Sequence, residues 1–80
     1  MWLTCEVLRT GPAENGKIYI ALSDVNGSFG FRWFEAIDIW AKEMLATALT
    51  ALTTGFHVTA LLDEGAPEYS VISRLYVLRR

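Results

Sequence analysis

The sequence predicts a mainly β (α+β) domain: a five-stranded antiparallel barrel of order β-β-β-α-β-β, with its one helix between strands three and four. Three observations carry this reading. Apolar and polar residues alternate over residues 2–9, 17–25 and 56–63, as half-buried strands require. Over residues 38–54 the apolar period becomes helical. Clusters of turn formers separate these stretches, and short strands joined by tight turns favour antiparallel pairing.

The elements follow in order. In residues 2–9, Leu3, Cys5 and Val7 share the inner face, and Gly11-Pro12-Ala13-Glu14-Asn15-Gly16 makes a loop. Residues 17–25 turn Ile18, Ile20 and Leu22 inward, and Asn26-Gly27 signals a tight hairpin turn. Residues 29–35 form the third strand, with Phe29, Phe31 and Trp33 on one face and Gly30, Arg32 and Phe34 on the other. Asp38 is placed to cap the helix and Gly55 to end it. Ala41, Met44, Leu45, Ala48, Leu49 and Leu52 fall in one arc, the expected core face. Phe56, Val58, Ala60 and Leu62 share a face of the fourth strand. Asp63-Glu64-Gly65-Ala66-Pro67 is a loop, residues 70–78 the last strand, and Arg79-Arg80 a polar end.

This order is that of the five-stranded Greek-key barrel, the OB-fold, in which a helix plugs the open end. The 80 residues make one such domain, residues 1–80. A hydrophobic fraction of 52% with 20% charged residues excludes a disordered chain. A net charge of −2 provides no polycationic field, so nucleic acid is a disfavoured partner. One Cys and one His exclude a disulfide framework and a Cys/His zinc site, and no cofactor motif is present. The nineteen residues 44–62 lack Asp, Glu, Lys and Arg, yet five threonines and Gly55 argue against a membrane span. The start Met-Trp-Leu-Thr-Cys-Glu has no secretory pattern, and a lone thiol fits a reducing compartment, which favours the cytoplasm.

The outward side of the helix is the most informative stretch. It carries Ala46, Thr47, Thr50, Ala51, Thr53 and Thr54, where a solvated helix shows Lys, Glu or Gln. Threonine is a poor helix former, so four within eight residues have a cost. Small hydroxyl side chains suit close approach between helices, with the hydroxyl bonded to the helix backbone or to a neighbour. A chain this small also needs a staple, and a partner subunit is the one left over. The expected interface with sister subunits is Trp40, Glu43, Thr47, Thr50, Ala51 and Thr54, with both helix faces buried.

The stretches Trp33-Phe34-Glu35-Ala36, Met44-Leu45-Ala46-Thr47-Ala48-Leu49-Thr50-Ala51-Leu52-Thr53-Thr54-Gly55-Phe56-His57-Val58-Thr59-Ala60 and Tyr69-Ser70-Val71-Ile72-Ser73-Arg74-Leu75-Tyr76 together resemble bacterial A–B toxin B subunits of the subtilase and pertussis types. The resemblance implies an OB-fold subunit in a closed ring, usually a pentamer, with helices lining a central pore. It implies sugar binding without chemistry. No residue of the family's sugar site maps onto this chain.

Candidate chemistry is sparse. His57 starts a strand with no nucleophile or acid proposed beside it, and Cys5 lies among core residues. Asp24, Asp38, Asp63 and Glu64 read as loop or cap acids, short of a Ca²⁺ loop. No catalytic set is visible. Arg32, Trp33 and Phe34, with Tyr19, Phe29 and Trp40, form a candidate ligand-binding platform. The expected function is therefore a non-enzymatic binding or scaffolding subunit of a homo-oligomer, with a glycan or protein partner. The alternative is an OB module for single-stranded nucleic acid or nucleotides, which stack on such aromatics.

Overall fold

The computed structural model describes residues 1–63 and 65–79. Its elements are β1 (Trp2–Pro12), β2 (Ile18–Asp24), β3 (Arg32–Ala36), a 3-10 turn (Asp38–Trp40), α1 (Ala41–Thr54), β4 (His57–Leu61), β5 (Ser70–Ile72) and β6 (Leu75–Leu78). They form one curled sheet of order β5-β3-β2-β1-β4-β6 with the helix after β3. β1 pairs antiparallel with both β2 and β4, and β2 antiparallel with β3. β5 lies parallel to β3, and β6 antiparallel to β4. The two sheet edges are thus consecutive segments of chain, separated only by Ser73 and Arg74, and the sheet curls to bring them together.

The fold has six strands where five were expected. Residues 70–78 break because their apolar pattern slips by one position: Ile72 and Leu75 are both buried, three residues apart. An unbroken strand would carry Arg74 and Tyr76 on the face of Ile72. The break turns both outward and lets the chain leave β3 for β4.

The third strand starts at Arg32 and not at residue 29. Asn26-Gly27 does not close a two-residue hairpin. The loop is organised instead on Asp24, whose carboxylate accepts the Ser28 hydroxyl and the amide N–H groups of Asn26 and Ser28 at 3.1 and 3.2 Å. Gly27, at φ 87°, supplies the left-handed residue and donates its N–H to the Asp24 carbonyl at 2.9 Å. Phe29 is consequently buried ahead of the strand, Phe31 is exposed, and Phe34 with Ala36 forms the core face.

The Ser28 hydroxyl, followed by the Asn26 and Ser28 amides, holds the Asp24 carboxyl below its ordinary range, because each donor favours the charged form. A depressed carboxylate contributes stability above the unfolded pKa of about 4 and loses it as pH falls through the lower folded value. The thermal midpoint is therefore expected to fall on acidification below about pH 4. Asp24→Asn should have a lower midpoint at neutral pH and a shallower acid dependence, as read in melts from pH 2 to 7.

The helix differs from expectation in rotation and in capping. Its core residues are Met44, Ala48 and Ala51, with Ala41 and Leu45 half-buried. Leu49 and Leu52, expected inside, are 43% and 41% exposed, while Ala51, expected at the subunit interface, is buried. The reason is steric: the helix packs chiefly on β1, and alanines let its backbone approach where leucines would hold it off. Asp38 makes no capping hydrogen bond and opens the 3-10 turn. Gly55 ends α1 as expected, at φ 75° with its N–H on the Ala51 carbonyl.

The core gathers Cys5, Ile20, Leu22, Phe34, Val58 and Ile72, all essentially sealed from solvent. The alternation expected for the first, second and fourth strands holds at Leu3, Cys5, Val7, Ile18, Ile20, Leu22, Val58, Ala60 and Leu62. The loop acid Glu64 and the terminal Arg80 lie outside the described residues.

Candidate functional site

Because Ile18 and Ile20 point inward on β2, Tyr19 must point outward. Its neighbours in the register are Glu35 on β3 and Gly11 on β1, and Trp33 lies two residues before Glu35 on the same outer face. The loop before β5 adds a third ring, since the Tyr69 N–H donates to the Trp33 carbonyl at 2.7 Å. The Tyr19 and Tyr69 rings meet edge to face with centroids 5.7 Å apart. These rings, Leu8, Leu52 and residues 9–15 enclose an open groove of about 820 Å³. That volume lies within the span of small-ligand sites.

Tyr69 is held at φ 67°, the one non-glycine described residue at positive φ. A bulky side chain there is strained by about 1–3 kcal/mol, and such strain concentrates at binding and catalytic sites. Polar groups are few. Asn15 Nδ2 donates to the Tyr19 hydroxyl at 3.3 Å, and the charged lining residues are Arg9 and Glu14, one of each sign. Lys17 stands nearby but is engaged: its ammonium lies 3.3 Å from Glu35 and 3.6 Å from Asp38. The Glu35 hydrogen bond, then the Asp38 charge, raises its pKa further.

The residues singled out in the sequence separate in space. Trp33 lines the groove. Phe34 does not: it is buried against Phe29 in the core, because it shares the parity of Ala36, and it is withdrawn as a ligand contact. Arg32 is half-buried, donates to the Ala66 carbonyl at 2.8 Å and lies over the Phe29 ring, so it braces the loop beneath the site. Tyr69 and Asn15 also line the groove, and sequence reasoning did not single them out. A turn tyrosine carries no periodic signal, and its left-handed backbone is visible only in three dimensions.

Of the expected interface, Trp40, Glu43 and Thr47 line a second groove of about 450 Å³, opposite Arg74 and Tyr76. Thr50 and Thr54 are exposed along the helix. The hydroxyls of Thr47, Thr50, Thr53 and Thr54 donate to the carbonyls four residues back, at 2.9, 2.9, 2.9 and 2.6 Å. Ala51 belongs to the core.

Cys5 is fully enclosed. Burial first, then the negative charge of Asp24, pushes its thiol up to about 12. The nucleophilic thiolate is therefore absent at neutral pH. Ellman's reagent at pH 8 is expected to label the folded chain only as fast as it unfolds, and to label it at once in denaturant. His57 is half-buried on β4 opposite Leu78. Among the described residues no group of three or more His, Cys, Asp or Glu side chains gathers to hold a metal ion, and no helix is long and apolar enough to cross a membrane.

Compared with known proteins, the chain matches no family model, no curated protein and no solved structure. The case for a function therefore stands on the grooves and surfaces themselves.

Proposed function

We propose that this chain is a non-enzymatic binding subunit: an OB-like barrel, with residues 70–78 as one broken fifth strand, that holds an uncharged ring-bearing ligand of the sugar class. The observation that carries the reading is the convergence of Tyr19, Trp33 and Tyr69 on one groove whose charged lining is a single Arg9 balanced by Glu14. Flat apolar rings with a few polar groups suit a sugar, which offers C–H faces to stack and hydroxyls to bond. A nucleic-acid strand needs several cations for its phosphates, so this lining disfavours the nucleotide alternative. Tryptophan fluorescence under titration with neutral oligosaccharides tests the reading. Saturable binding is expected, weakened about 5- to 150-fold by Trp33→Ala, if a ring stacked on a sugar contributes the about 1–3 kcal/mol that one stacked on a base does. Oligonucleotide binding with a steep salt dependence, and none by saccharides, would transfer the site to the alternative.

A second reading concerns assembly in a closed ring, the pentamer that the toxin resemblance implies. It is supported by the outward helix face of Ala46, Leu49, Thr50 and Thr53, whose charges are confined to Lys42 and Glu43 in the first turn. A ring would multiply weak sites into avid binding. Light scattering should then give several times 9.0 kDa, and Thr50→Lys should dissociate the assembly while the melting curve holds.

A further inference from the structure

A different surface, away from the aromatic groove and adjoining the threonine face at Thr47, has its own aromatic character. The phase slip at Ser73-Arg74 turns Tyr76 outward on β6, where its ring stacks on Trp2 of β1 with centroids 5.6 Å apart and planes 25° from parallel. Tyr76 also lines the 450 Å³ groove, together with Trp40, Met44 and Leu75. Trp2, Trp40 and Tyr76 are 46%, 53% and 56% exposed. At about 150–250 Å² per aromatic side chain, the three present about 350 Å² in one strip. Leu78, on the outward face beside Tyr76, extends it. A strip of this size is within the about 300–600 Å² of the largest apolar patch on a typical monomer, and such patches are often functional.

We propose that this strip is the contact surface for a second copy of the chain, docked about a two-fold axis through the groove. Two features bear on a second copy as the occupant: charge selects it and size permits it. The first is charge. The groove carries one acid, Glu43, on its helix wall and one base, Arg74, on the opposite wall. Neither side chain makes an ion pair among the described residues. A two-fold axis exchanges the walls, so Glu43 of each copy meets Arg74 of the other, which is the self-complementarity an isologous contact needs. The second feature is size. A stable pair buries about 800 Å² per partner, roughly a sixth of the 4811 Å² surface of this chain. The strip supplies the apolar centre of such a contact, and Glu43, Thr47, Ser73 and Arg74 its polar rim. Trp40, Glu43 and Thr47 of this groove also belong to the interface expected for the ring, so Tyr76 and Arg74 on one side and Thr50 on the other tell the two assemblies apart.

Light scattering across a dilution series of the full chain, with four variants, tests the pairing. Wild type is expected to associate, and Tyr76→Lys to weaken that association at least tenfold. Glu43→Arg and Arg74→Glu should each weaken it, and the double variant Glu43→Arg/Arg74→Glu should restore it, a recovery that damage to the fold cannot produce. A wild type that stays at 9.0 kDa throughout, or a double variant no better than either single one, overturns the proposal. Assembly that Thr50→Lys abolishes and that Tyr76→Lys and Arg74→Glu leave intact supports the ring and overturns the pairing. Association only with lipid vesicles or with added saccharide also overturns it.

Discussion

Phe34→Ala is expected to lower the thermal midpoint by about 12–40 °C. Phe34 is the largest side chain fully enclosed in the core. It sits on β3 opposite Ile20 and opposite Ser70, so it lies where the antiparallel and the parallel pairings of that strand meet. Its ring packs edge-on against Phe29 at 5.7 Å. Truncation of a buried Phe to Ala costs about 3–5 kcal/mol. At about 0.05–0.15 kcal/mol per residue, an 80-residue chain has about 4–12 kcal/mol in total. Each kcal/mol moves the midpoint of so small a domain by about 4–8 °C. Phe31→Ala, three residues earlier in an exposed position, is the contrasting variant and should shift it by only a few degrees. Circular-dichroism melts of the two variants check the comparison; equal shifts would contradict the assignment of Phe34 to the core.

Tyr69→Gly is expected to separate binding from stability. Removal of the ring takes away one wall of the groove, and saccharide affinity should drop about tenfold or more. Stability should stay within about 1 kcal/mol of wild type, because relief at φ 67° offsets the lost contact with Tyr19 and the greater freedom of glycine in the unfolded chain. Tyr69→Ala loses the same ring and keeps the unfavourable backbone, so it should bind as poorly and melt below Tyr69→Gly. Titrations and melts of the pair decide it. If Tyr69→Gly binds like wild type, Tyr69 is no part of the site.

Local pattern was a good guide where burial is one-sided. The alternation of Leu3, Cys5 and Val7, of Ile18, Ile20 and Leu22, and of Val58 and Ala60 is set by the sheet itself and is legible without coordinates. The helix was legible as a helix, with Gly55 at its end, but its rotation was not. Leucines dominate a hydrophobic pattern, whereas here the choice of core face was made by the small size of Ala48 and Ala51 against β1. The broken last strand did leave a trace: uninterrupted alternation from Ile72 would have buried the charge of Arg74. The turn after Asp24 was misread because Asn26-Gly27 fits a tight hairpin equally well, and only the hydrogen bonds to the Asp24 carboxylate choose the longer loop. For the binding groove, Tyr19 and Trp33 were recognisable as aromatics of uncertain use. Their meeting with Tyr69 depends on a contact between residues far apart in sequence, the Tyr69 N–H on the Trp33 carbonyl, and no local rule anticipates it.

One segment fastens both rims of the sheet, and this governs the order in which the molecule can be completed. A ribosome-bound chain can assemble its first hairpin and helix early, yet neither margin is sealed until residues 70–78 emerge. Until residues 70–78 are in place, Phe34 and Val58 each lie beside a strand edge still waiting for its neighbour.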